Sequence, residues 1–139
     1  MEGNKDCIFC KIVAGEIPSY RVTETVNCIA ILDAFPVTKG HTLILTKEHR
    51  ADLLDMTDAE IAEAAALSKV LGEAVKKAFG CPGVNFLSNL GRAAGQKVMH
   101  AHFHVIPRWD GDGVVMTFGQ LKFTDDEKEA IRKAIEENI

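Results

Sequence analysis

The 139-residue sequence contains no run of about 18 apolar residues, the minimum for a membrane-spanning helix. Its N-terminal residues also lack the apolar core and small-residue cleavage site of a secretory signal. Positive charge is not in excess either, because the formal net charge is -4. This argues against a protein that binds the phosphates of nucleic acid, although a local group of basic side chains can still bind a small anionic metabolite. We expect a cytoplasmic protein that binds neither membrane nor nucleic acid.

Cysteine is scarce, with four residues in the whole chain. In the reducing cytoplasm these are expected as thiols or metal ligands rather than disulfides. Cys28 lies among apolar neighbours and Cys81 follows a helix stop, so both are predicted to be buried thiols. Cys7 and Cys10 instead form a Cys-x-x-Cys pair, the spacing with which two thiolates bind one zinc ion. The alternative is a redox pair, but such pairs usually lie between a strand and a helix, whereas this one precedes every predicted strand.

The sequence also lacks internal repeats, low-complexity tracts and linkers, and 47% of its residues are apolar, enough for a core. We therefore predict a single α+β domain over residues 1–139. Alternating apolar residues and turn signals predict a five-stranded, mostly antiparallel sheet, with strands at residues 20–25, 27–33, 41–46, 83–89 and 100–107. Two capping boxes, Thr57 with Glu60 and Thr124 with Glu127, predict a long helix that stops at Gly80 and a C-terminal helix.

Three of only five histidines stand at alternate positions in one predicted strand. The side chains of His100, His102 and His104 therefore share one face of the sheet, opposite a face that we expect to enter the core. Alternate Cα atoms of a strand are about 6.6 Å apart, so one metal ion can bind two of these histidines but hardly all three. His49 and one end of this triad are the candidates to complete the ligand set of the cysteine pair.

At these residues the chain resembles the histidine triad nucleotide-binding superfamily. The resemblance covers about residues 5–110 and rests on CIFCKIVAGEIPS, CIAILDAFPVTKGHTLILTKEH and GQKVMHAHFHVIPRW. The chain is most similar to the bacterial or archaeal members that carry the zinc knuckle. The resemblance implies a homodimer whose two sheets join, and a nucleoside monophosphate site beside the triad. It also implies that His102 is a nucleophile that attacks an α-phosphate and forms a covalent nucleotidyl-histidine, which water then hydrolyses.

The resemblance also assigns the remaining candidate residues. It implies a structural zinc held by Cys7, Cys10, His49 and His100, and a backbone carbonyl of His100 that accepts from the His102 ring. His104 is placed to stabilise charge on the phosphate. Further nucleotide-binding candidates are Asn89 for the phosphate, Gly95 and Gln96 through loop N–H groups, Asp33 for the ribose, and Ile8, Phe9, Ile17 and Leu32 beside the base.

Several of these residues have a second interpretation. Asp33 is also typical of a turn at a strand end, and the apolar residues beside the base are equally explained by core packing. His41 matches a histidine of the family's site. Lys97 departs from the serine or threonine that many members carry there, and it either neutralises a polyphosphate or points into solvent.

Three functions are consistent with these patterns. The first is a nucleotidyl hydrolase or transferase that acts on a purine nucleoside phosphoramidate, a dinucleoside polyphosphate or a similar compound. The second is a module that binds purine nucleotides or proteins with little turnover. The third is a zinc hydrolase with the triad as ligands. The intact His102 and His104 favour the first over the second, and the Cys-x-x-Cys pair argues against the third.

Overall fold

The computed structural model describes residues 4–139, so residues 1–3 of the predicted domain lie outside the described part. Its helices are α1 (Ile8–Val13), α2 (Asp58–Phe79) and α3 (Asp125–Glu136), and short 3₁₀ turns occur at Leu53–Asp55 and Arg92–Ala94. Its strands are β1 (Arg21–Glu24), β2 (Cys28–Leu32), β3 (Thr42–Thr46), β4 (Gly83–Leu87) and β5 (His102–Arg108). Within residues 4–139, no helix combines the length and apolar character needed to cross a membrane.

The five strands form one sheet in the order β1-β2-β3-β5-β4, and every neighbouring pair is antiparallel. The predicted α+β class, sheet, long helix and C-terminal helix are thereby confirmed. Both capping boxes are present, and α2 ends at Gly80 in the left-handed conformation (φ 64°) that glycine adopts without strain. The fifth strand begins two residues later than predicted, so His100 lies just before it rather than on it.

The central strands are buried on both faces, which explains their nearly continuous apolar sequence. One face packs against α2, where Ala30, Ile44 and Val105 meet the apolar side of that helix. The other face packs against α1, where Leu43 and Leu45 meet Phe9 and Ile12. Because alternate residues of β3 point to opposite faces, this one strand contributes to both cores. The predicted buried thiols, Cys28 and Cys81, lie in the α2 core.

Helix α1 was not predicted from the sequence, and it decides where the cysteine pair lies. Cys7 is its N-cap, and the backbone N–H of Cys10 donates to the Cys7 sulfur at 3.4 Å. The buried residues Phe9, Cys10 and Ile12 hold the helix against the sheet. The helix therefore presents both thiols and the Phe9 ring to the face of the sheet that carries the histidines.

Candidate metal site and active site

Four side chains from three distant parts of the chain converge at the N-terminal end of β5. The donor atoms of Cys7, Cys10, His49 and His100 all lie within 4.8 Å of one another. His100 Nδ1 is 3.3 Å from the Cys7 sulfur, and His49 Nδ1 is 3.2 Å from the Cys10 sulfur. Sulfur and nitrogen ligands of a tetrahedral zinc ion are separated by about 3.5 Å, from bond lengths near 2.3 and 2.1 Å. These four residues fit a metal site.

The hydrogen bonds of His100 support this assignment. Its Nε2 is 2.7 Å from the carbonyl oxygen of Thr46, so Nε2 carries the proton and Nδ1 keeps its lone pair toward the thiols. Burial lowers the pKa of His100 to about 4, which keeps the ring neutral as a ligand must be. Burial, together with the neighbouring Cys7, raises the pKa of the Cys10 thiol, so a metal ion must displace a proton there.

His102 follows two residues after His100 on the same face of the sheet, and its side chain is 7% exposed. Its Nδ1 is 2.6 Å from the carbonyl oxygen of His100, to which the Nδ1–H donates. Nε2 therefore holds the free lone pair. The edge of Phe9 from α1 packs against the ring, with centroids 5.0 Å apart. Burial lowers the pKa of His102, although the His100 carbonyl and the Asp33 carboxylate partly oppose this. The ring is consequently neutral and oriented near pH 7, with an unprotonated Nε2, which is what a nucleophilic imidazole requires.

A second chain of hydrogen bonds orients His104. The backbone N–H of Val37 donates to His41 Nδ1 at 3.2 Å, so the proton of His41 is on Nε2. That Nε2–H lies 2.9 Å from His104 Nδ1 and 3.4 Å from the Asp33 carboxylate. His104 Nδ1 accepts, which leaves its proton on Nε2. His104, on the same face as His102, is thus set as a hydrogen-bond donor through its Nε2–H.

The same chain argues against a second metal site at Asp33, His41 and His104, whose donor atoms also lie within 4.8 Å of one another. A metal ion on His41 Nε2 would require the proton to move to Nδ1, where it would face the Val37 N–H. Metal-binding histidines instead donate from the other ring nitrogen, as His100 does. Burial lowers the pKa of both His41 and His104, the latter to about 4, so both rings are neutral near pH 7.

Asp33 forms the turn at a strand end that was one of the two interpretations of its position, and its role toward a ribose stays a prediction. One carboxylate oxygen accepts from the Phe35 N–H at 2.8 Å, which is a turn at the end of β2, and the other faces His41. Its side chain is half-buried beside the His41 ring. Leu32, immediately before it, is 42% exposed, and Ile8 on α1 is 47% exposed, whereas Ile17 packs into the core beneath α1. Leu32 and Ile8 are therefore free to contact a ligand.

Gln96 is buried and organises the loop between β4 and β5. Its Nε2 donates to the carbonyls of Ala51 (2.8 Å) and Val98 (3.0 Å), and its Oε1 accepts from the Gly91 N–H at 2.8 Å. The backbone N–H groups of Gly95 and Gln96 donate within the loop, to Arg92 and Gly91. In this conformation the contribution of Gln96 is to the loop's shape.

Gly95 and the remaining candidates flank this loop. Gly95 has a φ of 98°, and a Cβ there would lie 3.4 Å from the side-chain amide nitrogen of Asn89, so glycine lets these two approach. Lys97 is exposed and borders a cavity of about 320 Å³ beside Cys7 and His49. Of the predicted residues, Lys97 thus lies toward the metal cluster, while Asp33 and His41 lie toward the other end of the triad.

Sequence reasoning did not identify Thr46, Val37 or the loop-organising role of Gln96. The first two act through backbone groups, which leave no signal in residue type. For α1, the apolar residues Ile8, Phe9 and Ile12 are spaced as on a helix face, but six residues are too few for a periodic pattern to stand out. A buried glutamine among small residues gives no signal at all.

The chain matches the HIT domain model over residues 14–111. An uncharacterised HIT-like protein of Methanocaldococcus jannaschii is 46% identical over 119 residues, 86% of this chain and 92% of that protein. Among solved structures, SMU.412c from Streptococcus mutans is 38% identical with a TM-score of 0.92, and the alignment covers 98% of this chain and 87% of that one.

Two further structures bear on the site. A histidine triad nucleotide-binding protein from Candida albicans is 34% identical with a TM-score of 0.86 and 96% coverage of both chains. A zinc-bound histidine triad family protein from Mycobacterium smegmatis is 35% identical with a TM-score of 0.76, covering 97% of this chain and 96% of that one. The matched domain model and these relatives show that the chain belongs to the HIT domain family, of the histidine triad type.

Proposed function

We propose that this protein is a nucleotide-binding enzyme that cleaves purine nucleotide derivatives at the α-phosphate through a covalent intermediate on His102. The substrate class is a nucleoside phosphoramidate or a dinucleoside polyphosphate. One observation carries the proposal: the Nδ1–H of His102 is held 2.6 Å from the carbonyl of His100, which leaves Nε2 as an oriented, unprotonated nucleophile. The nucleotide-binding name of the Candida albicans relative supports the ligand class.

In the first step the lone pair of His102 Nε2 attacks the α-phosphorus. A nitrogen–phosphorus bond forms as the bond from phosphorus to the leaving group breaks. The leaving group departs with the bonding electron pair, and an amine leaving group takes up a proton from solvent. The imidazole gains positive charge, which the carbonyl of His100 stabilises through the Nδ1–H. In the second step water attacks the same phosphorus, a proton is lost to solvent, and the nitrogen–phosphorus bond breaks. The nucleoside monophosphate and neutral His102 are the products.

His104 acts on the phosphate oxygens in both steps. The hydrogen-bond chain from Val37 through His41 sets its Nε2–H as a donor, on the same face as the His102 ring. The His102 and His104 ring centroids are 5.2 Å apart, close enough for both rings to reach one phosphoryl group. A preoriented donor of this kind stabilises negative charge that develops in the transition state, as oxyanion-hole donors do.

Substrate binding is assigned to residues on either side of the triad. Asp33 accepts from the ribose hydroxyls, and Asn89 with the loop at Gly95 approaches the phosphate. Phe9, Ile8 and Leu32 flank the base, with Phe9 fixed by the core and the other two exposed. Gln96 contributes by shaping the loop, and Lys97 remains a candidate to meet a polyphosphate leaving group.

The metal cluster is proposed to hold one structural zinc ion. Two thiolates and two imidazoles form a closed set of four ligands, the donor set of structural zinc sites, with no open position for substrate. The zinc-bound Mycobacterium smegmatis relative supports the identity of the metal. When bound, zinc fixes α1 and His100 to each other. His100 then offers its carbonyl to His102 from a fixed position.

The protein is also proposed to be a homodimer, as the family resemblance implies. Strand β4 is an edge strand of the sheet, and with α2 it borders an apolar groove of about 860 Å³. An open edge strand beside an apolar groove is a surface that proteins usually cover. A second copy of the chain covers both at once when two such faces meet around a two-fold axis.

The experiment that tests the enzyme proposal is covalent trapping. Wild-type protein is mixed with an α-³²P-labelled adenosine phosphoramidate, quenched within milliseconds to seconds and separated under alkaline denaturing conditions. We expect label on the protein that is acid-labile and is absent from His102→Ala. Release of labelled monophosphate alone would not suffice, because direct hydrolysis by water also produces it. If wild-type protein binds the monophosphate but shows neither label nor turnover across a panel of nucleotides, the binding-module function replaces the enzymatic one.

A further inference from the structure

The two thiols of the metal cluster are close enough to each other for a chemistry other than metal binding. Cys7 is the N-cap of α1, and the backbone N–H of Cys10 donates to its sulfur at 3.4 Å. The two sulfur atoms lie within 4.8 Å of each other. Sulfur atoms this close can reach bonding distance by movement of the two side chains. The pair can therefore be joined as a disulfide when it is oxidised.

A small oxidant can reach this pair more easily than the other two cysteines. Cys7 borders the cavity of about 320 Å³, and the exposed residues Lys97 and Met99 share its lining, so the cavity meets solvent. Cys28 and Cys81 are instead buried in the core against α2, with exposures of 0% and 2%. Susceptibility to oxidation follows thiolate character and exposure. Oxidation of the chain should therefore begin at the pair.

The oxidant that the chemistry requires is a peroxide, with hydrogen peroxide as the simplest case. One thiolate attacks a peroxide oxygen, the O–O bond breaks, and a sulfenic acid and hydroxide form. The second thiolate attacks the sulfenic sulfur, the S–O bond breaks, and a disulfide and a second hydroxide form. The two sulfurs lose two electrons, which the two peroxide oxygens gain. The disulfide offers no thiolate ligand, so only two histidines of the four-ligand set remain and a bound zinc ion is released.

Helix α1 is held at its two ends by different contacts. At its C-terminal end, the guanidinium of Arg21 donates to the carbonyls of Ile12 and Val13, both at 3.0 Å. At its N-terminal end, the polar contacts that link residues 4–10 to the rest of the described chain all pass through the two thiols, to the histidines of the metal cluster. Six residues are too few for a helix that is stable by itself. Loss of the thiolate ligands therefore loosens the N-terminal end, while the C-terminal end stays attached.

Phe9 connects the N-terminal end of α1 to the triad. It lies between the two cysteines in sequence, so it moves with them. Its ring packs edge-on against His100 and His102, with centroid distances of 5.8 and 5.0 Å. When this end of α1 moves, His102 loses the aromatic side chain that packs against its ring, and His100 loses its thiolate neighbours. The orientation of His102 depends on both.

We propose that Cys7 and Cys10 form a redox switch: peroxide converts the pair to a disulfide, zinc is released, and the N-terminal end of α1 withdraws Phe9 from His102. A dithiol reductant returns the pair to thiols by exchange, and zinc then binds again. The inference rests on the structural zinc and the His102 nucleophile proposed above, and it adds regulation of that site. The metal-binding and redox interpretations of the pair then describe two states of the same two thiols.

Zinc release and disulfide mapping test the first part of the switch. Zinc-loaded, full-length protein is freed of reductant and treated with hydrogen peroxide beside a colorimetric zinc chelator, with an untreated sample as reference. We expect peroxide to release about one zinc ion per chain and to produce a Cys7–Cys10 disulfide in the non-reduced peptide map. The matched control Cys81→Ala should behave as wild type. Cys10→Asp keeps an oxygen ligand for zinc but no second sulfur, so a dithiol should restore none of the zinc that it loses.

Three results would overturn this part of the proposal. The first is a chain that takes up no zinc. The second is a disulfide that forms at Cys28 or Cys81 instead of at the pair. The third is zinc that stays bound after the Cys7–Cys10 disulfide has formed.

Hydrogen exchange and label trapping test the link to His102. Amides of residues 7–13 should exchange at least about tenfold faster after oxidation, and label on His102 should fall at least about tenfold. Both should return with dithiol and zinc, whereas damage by methionine oxidation would persist, because a dithiol does not reduce the sulfoxide. Unchanged exchange in the disulfide form, or unchanged label, would overturn the switch. If the reduced protein shows no label at all, the enzymatic proposal fails, and zinc release with exchange still decides the switch.

Discussion

His100 joins the metal cluster to the proposed nucleophile, His102. The Nδ1 of the His100 ring lies 3.3 Å from the Cys7 sulfur, and the His100 carbonyl oxygen lies 2.6 Å from His102 Nδ1. A shift of His100 therefore moves both at once. We therefore expect a metal ion at this site to influence the proposed catalysis by position, although none of its ligands needs to touch substrate.

Replacing His102 should remove turnover and spare binding. We expect His102→Ala to lower kcat by about 10³-fold or more, because the covalent route is lost. Nucleoside monophosphate affinity should change by less than about tenfold, since Asp33, Asn89 and the loop remain. Single-turnover kinetics and calorimetry measure the two. His104→Ala should reduce kcat by only about 10- to 10³-fold. Near wild-type rates in His102→Ala would rule out the covalent mechanism.

His41 should act through the tautomer of His104. His41→Ala removes the donor to His104 Nδ1, and kcat should fall by about 10- to 100-fold with little change in monophosphate affinity. His41→Gln offers an amide N–H in a similar position and should recover part of the loss. If alanine and glutamine variants lose the same activity, or if only affinity changes, His41 does not set the tautomer.

Metal content should depend on Cys7 and Cys10 of the metal cluster and not on Cys28 or Cys81. Protein purified without chelator should carry about one zinc ion per chain by elemental analysis. Cys7→Ala should carry far less and lose at least about 1 kcal/mol of stability, about 4 °C in Tm for a chain of this length. The matched control is Cys81→Ala, which removes a buried thiol outside the cluster and should retain the metal. Equal metal content in the two variants would contradict the assignment.

The acid side of the pH profile should lie below pH 6.5, the ordinary pKa of histidine. Burial lowers the pKa of His102 and brings that of His104 to about 4, so both rings stay neutral as pH falls through the ordinary histidine range. Protonation then removes the nucleophile only at lower pH. We expect kcat/KM, which reports the free enzyme, to be flat from about pH 8 to 6.5 and to decline below. Metal content measured at each pH separates protonation of the triad from loss of zinc. A midpoint at or above 6.5 would contradict the burial argument.

Gln96 should prove a positioning residue. Gln96→Ala leaves the Gly91 N–H and two backbone carbonyls without their partner, which costs about 1–3 kcal/mol of unfolding free energy. A loosened loop should raise KM more than it lowers kcat. Lys97→Ala, at the exposed next position, should change stability by no more than about 0.5 kcal/mol. Equal stability of the two variants would show that the loop does not depend on Gln96.

The sequence by itself determined the class of the fold and predicted most residues of the candidate site. Strand alternation placed His100, His102 and His104 on one face, and the capping boxes at Thr57 and Thr124 marked both long helices. These features are local, with periods of two and 3.6 residues, so they can be read without knowing what packs against them. The cysteine spacing likewise identified two of the four residues that fit a metal site, while His49 and His100 were assigned by resemblance.

Only the tertiary structure decided how these residues are used. The tautomers of His41, His100 and His102 depend on backbone groups of Val37, Thr46 and His100, which the fold brings into contact. The burial of Gln96 and the exposure of residues 115–139 depend on packing across the chain. Hydrogen-bond direction and burial are properties of contacts between distant segments, and residue type at one position does not encode them.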